Sequence, residues 1–234
     1  MQGCENIVLG SATGLLFAAS VAFLVLALRD RLRDNRARKG DDDNGIAPDP
    51  RHGITFLVCF LAFLAYFVMW VSGGNGSPLS SGARYADWLV TTPLLLLDLL
   101  WVVGRGRPYD VAGAVVLDVL MILLGIAAVL TVMSGWARYA MWGLSSLAML
   151  GVFAYLVSFR GAGGAGPDAE KARFEACLPW ILVLWSVYPA VWLAGKEGTG
   201  VMGACAEAGS YAVLDVLAKA GFGAFLLSFD HTRP

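Results

Sequence analysis

Five ionisable side chains stand inside long apolar runs. They are Asp87, Asp98, Asp118, Asp215 and Lys219, and Arg84 sits at the mouth of one run. Each such group costs at least ~2.5–3.5 kcal/mol at the centre of a bilayer, so it faces the protein interior with a partner. Spacing says what they can do together. At about 100° per residue, Arg84, Asp87, Thr91 and Asp98 fall within one helical stripe of roughly 60°. Asp87 and Asp98 are 11 residues apart, which is roughly 16 Å along a helix axis. That is a vertical row of groups able to pass protons. Asp215 and Lys219 are i and i+4, neighbours on one face. An amine in a dry pocket is the group that forms imines with aldehydes. A static ion-pair network would use the same residue types, but it needs no row running from one end of a helix to the other.

A second set of residues supplies walls. Trp185, Tyr188, Pro189 and Trp192 form one stripe, Trp142 and Met149 (i and i+7) share another face, and Trp88, Thr92 and Leu95 lie beside the carboxylate row. An aromatic stripe at helical spacing is more often plain core packing. Here three separate runs turn Trp and Tyr toward the depth of Lys219. Such walls would grip a long, flat, apolar chromophore. Other chemistry is missing. Cys4, Cys59, Cys177 and Cys205 have no metal-ligand spacing, and Cys59 reads as a small core residue. His52 and His231 fall in an inner loop and the tail, outside any pocket, and no nucleophile–base constellation points to an enzyme.

The elements that must position these groups are membrane helices. The 234 residues are 58% hydrophobic and 15% charged; ordinary soluble domains carry about 25% charged residues. So little charge cannot cover so much apolar volume in water, and disorder is excluded by the same numbers. The net charge of −1 argues against a nucleic-acid partner. The apolar residues come in seven blocks: Ile7–Leu28, Ile54–Ser72, Ala86–Val103, Val111–Met133, Tyr139–Ser158, Cys177–Ala194 and Ala208–Phe229. Each is near the roughly 17–25 residues of a spanning helix. Strands alternating over ten residues are absent, so a β-barrel is not expected. The expectation is an all-α bundle of seven transmembrane helices in one domain over 1–234, with approximate spans 7–28, 54–72, 84–103, 111–133, 137–159, 177–195 and 208–229. The first block follows six residues with no basic start and is read as a retained span, not a cleaved signal.

Orientation follows from loop charge. Thirteen of the seventeen Lys and Arg residues fall on one side, in the loop Arg29–Arg51, with Arg105 and Arg107, with Arg160, Lys171 and Arg173, and at Arg233. Cytoplasmic loops carry this excess, so the N-terminus is expected outside and the C-terminus inside. The run Arg31–Asp43, followed by Pro48 and Pro50, reads as a solvated loop. The glycine-rich run Gly161–Gly166 reads as a linker, lacking the Lys and Ser/Thr of a phosphate loop. Cys4 and Cys205 fall on one side of the membrane, which permits a disulfide between them without requiring it.

These residues are recognisable together. Arg84 to Asp98 (RYADWLVTTPLLLLD), Trp185 to Gly198 (WSVYPAVWLAGKEG) and Leu214 to Gly223 (LDVLAKAGFG) closely resemble the third, sixth and seventh helices of bacteriorhodopsin-like light-driven proton pumps. The chain is thereby identified as similar to the microbial (type 1), retinal-binding rhodopsins; its first two spans match in pattern only. The resemblance implies all-trans retinal on Lys219 as a protonated Schiff base. It makes Asp87 the counterion and proton acceptor, hydrogen-bonded to Thr91, and Asp215 the second counterion. It makes Asp98 the donor from the cytoplasmic side. Arg84 links the counterions to the exit, where Glu197 and Glu207 match a release pair; their plain alternative is two solvated loop acids. Trp88, Trp142, Trp185, Tyr188 and Trp192 match retinal-packing positions, with Leu95, Met121, Ser145, Ser146, Met149 and Pro189 around the chromophore. Thr92 and Asp118 match a hydrogen-bonded pair. Tyr66 resembles a tyrosine near the second counterion, and Thr55 a threonine near the donor. Leu95 implies green rather than blue absorption. A homo-oligomer such as a trimer, and a multi-pass place in the plasma membrane, are also implied.

The chain departs from that pattern in places. Lys196 stands where the pumps carry a small hydroxyl residue, and a cation there would lower the pKa of Glu197. Met141 replaces one of a tryptophan pair. The first cytoplasmic loop is longer and the loop before Arg84 shorter, features closer to algal and fungal pumps. The expected function is outward, light-driven proton pumping, because both halves of the path carry an acid. A sensory rhodopsin is the alternative, and such members usually lack the acidic donor. A light-gated channel is less favoured, because Ile54–Ser72 holds no acidic residue. A retinal-free seven-helix receptor would not need Lys219 between Asp215 and the aromatic walls.

Overall fold

The computed structural model describes residues 2–39, 51–74, 77–102, 108–130, 135–160 and 168–228. Among these there are seven helices and no strand. They are α1 (Gln2–Lys39), α2 (Arg51–Val71), α3 (Pro78–Val102), α4 (Pro108–Val129), α5 (Gly135–Ser158), α6 (Asp168–Ala194) and α7 (Ala204–Ser228). Six of them are long and apolar enough to cross a membrane. The other, α3, has 25 residues, about 37 Å of helix, and carries Arg84, Asp87 and Asp98. In lipid a helix satisfies its own backbone polar groups, which is why apolar runs of this length become helices and nothing else.

Consecutive helices pack side by side, and α7 returns to α1, closing a ring of seven. The larger core cluster is built chiefly by α3, α4, α5, α6 and α7, and includes Leu95, Leu96, Leu99, Met121, Met149, Trp185 and Phe222. A smaller cluster joins α1, α2 and α7 through Leu9, Leu16, Tyr66, Met69 and Ala212. Large apolar residues on the outer faces stay exposed, Leu15, Val116, Leu147 and Val183 among them. That is the inverse of a soluble fold and the expected surface for a protein solvated by lipid.

Several boundaries differ from those read off the apolar blocks. The helix α1 starts at Gln2 and continues past Leu28 to Lys39, so the stretch Arg29–Lys39 is helix and not loop. Arg, Lys and Ala are good helix formers, and a helix that leaves the bilayer has no reason to stop where the apolar residues do. Arg51 and His52 belong to α2 and are buried. His52 Nδ1 lies 2.8 Å from Asp30 Oδ2 on α1, so this histidine is packed at a helix interface and is not a loop residue. The helix α6 begins at Asp168, nine residues before Cys177, and takes Lys171 and Arg173 out of the loop. Arg105, Arg107, the run Gly161–Gly166, His231 and Arg233 lie outside the described residues.

Two covalent or steric details fix how α7 sits. A disulfide joins Cys4 of α1 to Cys205 of α7, so the pairing that loop topology only permitted is made. At the other end, Gly223 lets α7 approach α2. A Cβ there would stand 2.3 Å from Thr55 Cγ2. Gly223→Ala therefore has to push Thr55 or α7 aside, a cost of about 1–3 kcal/mol. It should lower the thermal midpoint in detergent by a few degrees; an unchanged midpoint would show that the two helices are not in tight contact.

Candidate functional site

Lys219 is the centre from which the site is built. Its helix does not wind uniformly. Val216–Gly221 form a π-helical turn between the α-helical stretches Ala204–Asp215 and Phe222–Ser228. Such wide turns inside helices are rare and recur at functional sites. Lys219 is buried. Its Nζ hydrogen-bonds Asp87 Oδ2 of α3 and lies 3.3 Å from Asp215 Oδ1, one turn earlier on its own helix. One buried cation is therefore shared by two buried carboxylates.

Asp215 is held by three neutral donors from three other helices. Tyr66 OH donates to Oδ2 at 2.7 Å. Trp88 Nε1 and Tyr188 OH donate to Oδ1 at 3.1 and 2.9 Å. Charge-assisted bonds of this kind are the strong ones, and they fix the carboxylate with its lone pairs used. Thr91 lies one turn after Asp87 and donates to its backbone carbonyl at 2.8 Å.

From Lys219 a cavity of about 770 Å³, mouth included, runs between α3, α4, α5 and α6. Asp215 and Lys219 border it with Trp88, Thr92, Leu95, Met121, Trp142, Ser145, Ser146, Met149, Trp185, Tyr188, Pro189 and Trp192. Its side walls are tied helix to helix. Trp142 Nε1 donates to Pro189 O at 3.1 Å and its ring stacks on Trp192, 6.2 Å between centroids at 20°. Ser145 Oγ donates to Met121 O at 2.7 Å. Tyr66 and Asp118 do not border the cavity. Tyr66 acts on it through Asp215, and Asp118 through Thr92, whose Oγ1 is 2.7 Å from Asp118 Oδ2. Tyr85, Ile122, Gly125, Ala128, Tyr211 and Ala218 also line it, though they fall on none of the stripes read from the sequence. Tyr211 was findable, since it lies four residues before Asp215 on the same face of α7.

On the side of the helix ends that hold Cys4 and Cys205, the row continues. Arg84 is buried and its guanidinium lies 4.2 Å from the centre of the Tyr211 ring. It feels both Asp215 and Glu197, so it sits between the centre and that end. Glu197 and Glu207 are both buried, which removes the solvated-loop reading of the pair. Glu207 Oε2 accepts the Lys196 backbone N–H at 3.0 Å. Its carboxyl occupies the space of a missing side chain, since a Cβ on Gly195 would lie 2.7 Å from its carbon. Glu197 Oε1 accepts from Ser81 Oγ at 3.1 Å. Burial pushes the Glu197 carboxyl above its ordinary value, and Arg84 and Lys196 pull it back only in part. The lowering expected from Lys196 is present beside that from Arg84, but desolvation outweighs both; Lys196 itself is exposed and screened by water.

On the opposite side, Asp98 is buried, as are Leu95, Leu96, Leu99 and Leu100 of the same helix. Its Oδ2 accepts from Thr55 Oγ1 of α2 at 3.0 Å. Cys177 of α6 stands close enough to feel the charges of Asp98 and Arg173, a neighbour that no spacing in α6 would have indicated. The arrangement can hold a covalently attached, elongated apolar group on an amine. It can also hold protons at three depths: Asp98, the Lys219–Asp87–Asp215 centre, and the Glu197–Glu207 pair.

Comparison with known proteins gives a family. The profile described as bacteriorhodopsin-like protein matches residues 11–232. Bacteriorhodopsin-II of Haloarcula marismortui is 38% identical over 198 residues, 81% of this chain and 78% of that protein. Among solved structures, the thermophilic rhodopsin of Rubrobacter xylanophilus superimposes with a TM-score of 0.82 at 31% identity, over 97% of this chain and 96% of that one. The light-driven proton pump of Leptosphaeria maculans does so with 0.79 at 29% identity, over 97% and 94%.

The effect of Lys196 on Glu197 offers a direct check. Lys196→Ser removes one of the cations that favour the Glu197 carboxylate, so Glu197 should ionise at higher pH. Infrared titration of the carboxyl stretch, with Glu197→Gln to assign the band, reads this; no upward movement would mean that Lys196 does not act on Glu197.

Proposed function

The chain belongs to the bacteriorhodopsin-like family, and from that premise we propose that it is a light-driven pump moving protons outward across the plasma membrane. The observation that carries the proposal is Lys219 Nζ, shared by Asp87 and Asp215 at the end of an aromatic cavity. The family binds retinal on a lysine, and the cavity fits such a group. It is walled by Trp, Tyr and Met and is bordered by Lys219, an amine of the kind that forms an imine with an aldehyde. Bound there through Lys219 Nζ, retinal supplies light absorption and an isomerisation that re-aims the nitrogen.

The chain's own residues then do the proton work. Asp87 Oδ2 accepts the proton from Nζ, the atom it already contacts. Asp215 stays bound by Tyr66, Trp88 and Tyr188 whether or not the proton leaves. It therefore holds Arg84 and the centre in place while Asp87 is neutral. Arg84, lying between that centre and Glu197, passes the change of charge on as an electrostatic effect. With Asp87 neutral, Arg84 is drawn more toward Glu197 and favours loss of the proton held by the glutamate pair. Asp98 returns a proton to Nζ from the other side. Its burial excludes bulk water and so blocks a leak in the dark. Two acids on opposite sides of one switching amine make transport directional.

The outward sense rests on charge and chemistry. The basic ends of α1, α2 and α6, with Arg29, Arg31, Arg33, Arg51 and Arg173, lie on the side of Asp98, and the cytoplasmic side carries that excess. The Cys4–Cys205 disulfide lies at the other end, and disulfides persist in oxidising compartments. A sensory role is the second reading, and the buried Asp98–Thr55 pair favours the pump over it. Raising one charge across 100 mV requires ~2.3 kcal/mol, which a visible photon amply exceeds.

Light should acidify an unbuffered suspension of cells or vesicles holding the protein in its natural orientation, and a protonophore should abolish the effect. Movement only down an imposed gradient would make it a channel. Lys219→Ala should stay colourless with retinal supplied; colour retained would place the attachment elsewhere. Asp98→Asn should slow recovery of the pigment after a flash, with azide restoring it, and an unaltered recovery would remove Asp98 from the uptake path.

A further inference from the structure

Trp180 of α6 belongs to no stripe that faces the cavity. Its indole nevertheless makes three separate contacts with α7, all around the π-helical turn. Nε1 donates to the backbone carbonyl of Leu217 at 3.2 Å. The ring stacks on Phe225, 5.3 Å between centroids and 14° between planes. Its edge lies over Gly221, where a Cβ would stand 3.3 Å from Trp180 Cζ2. The first contact falls on the carbonyl where the winding changes. Leu217 O accepts the N–H of Phe222, five residues ahead, where an α-helix would use the residue four ahead. A carbonyl has two lone pairs, and the indole takes the second.

The position matters because of what is two residues away. Leu217 points outward and is 40% exposed, whereas Lys219 points inward and is buried. The same wide turn that offers Leu217 O to α6 aims Lys219 Nζ at Asp87 and Asp215. We infer that Trp180 is a positioning residue: it clamps the π-helical turn from outside and thereby sets the place of Lys219 Nζ between its two carboxylates. A π-turn gives up regular i+4 bonding, so an external donor is what keeps it from sliding along the helix. Gly221 completes the clamp by leaving room for the indole. Since Trp185, five residues on in α6, lines the cavity, the same helix wall touches the chromophore space and the backbone that carries the lysine.

The inference rests on the pump reading only for its consequence, and the test separates the two. Trp180→Phe keeps a ring to stack on Phe225 and removes the N–H. Amide hydrogen exchange over residues 217–222 should then become faster, by up to about tenfold for one lost hydrogen bond. In the retinal-loaded protein the absorption maximum should move to longer wavelength, as Asp87 no longer sits as close to the nitrogen. Phe225→Leu, which keeps the N–H, should change exchange and colour less than Trp180→Phe does. Unchanged exchange and unchanged colour in Trp180→Phe would overturn the inference. So would a lowered melting midpoint with no change of colour, because that is what plain packing predicts. The exchange result stands or falls whether or not the parent protein acidifies its medium in light, so failure of pumping and failure of the clamp are distinct outcomes.

Discussion

The whole molecule is arranged around one buried cation. Two unit charges 3.3 Å apart attract by about 5 kcal/mol at an effective dielectric constant of about 20. Removing each from water costs several kcal/mol. A single ion pair between Lys219 and one aspartate would therefore roughly break even. The second carboxylate and the donors on Asp215 tip the balance. Tyr66 comes from α2, Trp88 from α3 and Tyr188 from α6, so the electrostatic demand of one amine specifies how four helices meet. α2, α3, α6 and α7 converge at the end of the cavity where that demand is met.

The two ends of the proton row are built on different physics. Toward Asp98 the carboxyl is buried, with Thr55 donating to it, Cys177 and Arg173 nearby and a close helix contact at Gly223. Toward Glu197 the residues are polar. Arg84, Tyr211, Ser81 and the Lys196 backbone supply charge and donors, and the glutamates share a hydrogen-bonded pocket. On the pumping proposed above, burial on the one side resists leakage, the polar side holds and gives up a proton, and the asymmetry gives the amine in the middle a direction. The disulfide strengthens the polar end, because Cys4 and Cys205 anchor α1 to the start of α7, two residues before Glu207.

Much of this was legible in residue types and spacing. The 11-residue interval from Asp87 to Asp98 and the four-residue interval from Asp215 to Lys219 needed only helical geometry to become a row and a neighbour pair. The cavity walls were legible from Trp142, Trp185, Tyr188 and Trp192, because a helix repeats every 3.6 residues. Other parts were not. The burial of Glu207 depends on the absent side chain of Gly195 in a different helix end. The packing of His52 depends on Asp30 across an interface. The helical run to Lys39 was hidden because apolar content marks where lipid ends and says nothing of where a helix ends.

Periodicity and polarity act within one helix at a time, so the amino-acid sequence alone determined that there are seven membrane spans and which face of each bears the acids, the amine and the rings. It also determined that most basic residues fall in the stretches between spans, although Arg29–Lys39 proved helical. Only the tertiary structure decided how those faces are brought together: Asp215 with three donors from three helices, Cys4 with Cys205, and Trp180 with the Leu217 carbonyl. Those contacts join residues far apart along the chain, and their existence depends on the rotation and depth of each helix against its neighbours. A one-dimensional pattern does not contain those quantities; close packing in three dimensions sets them.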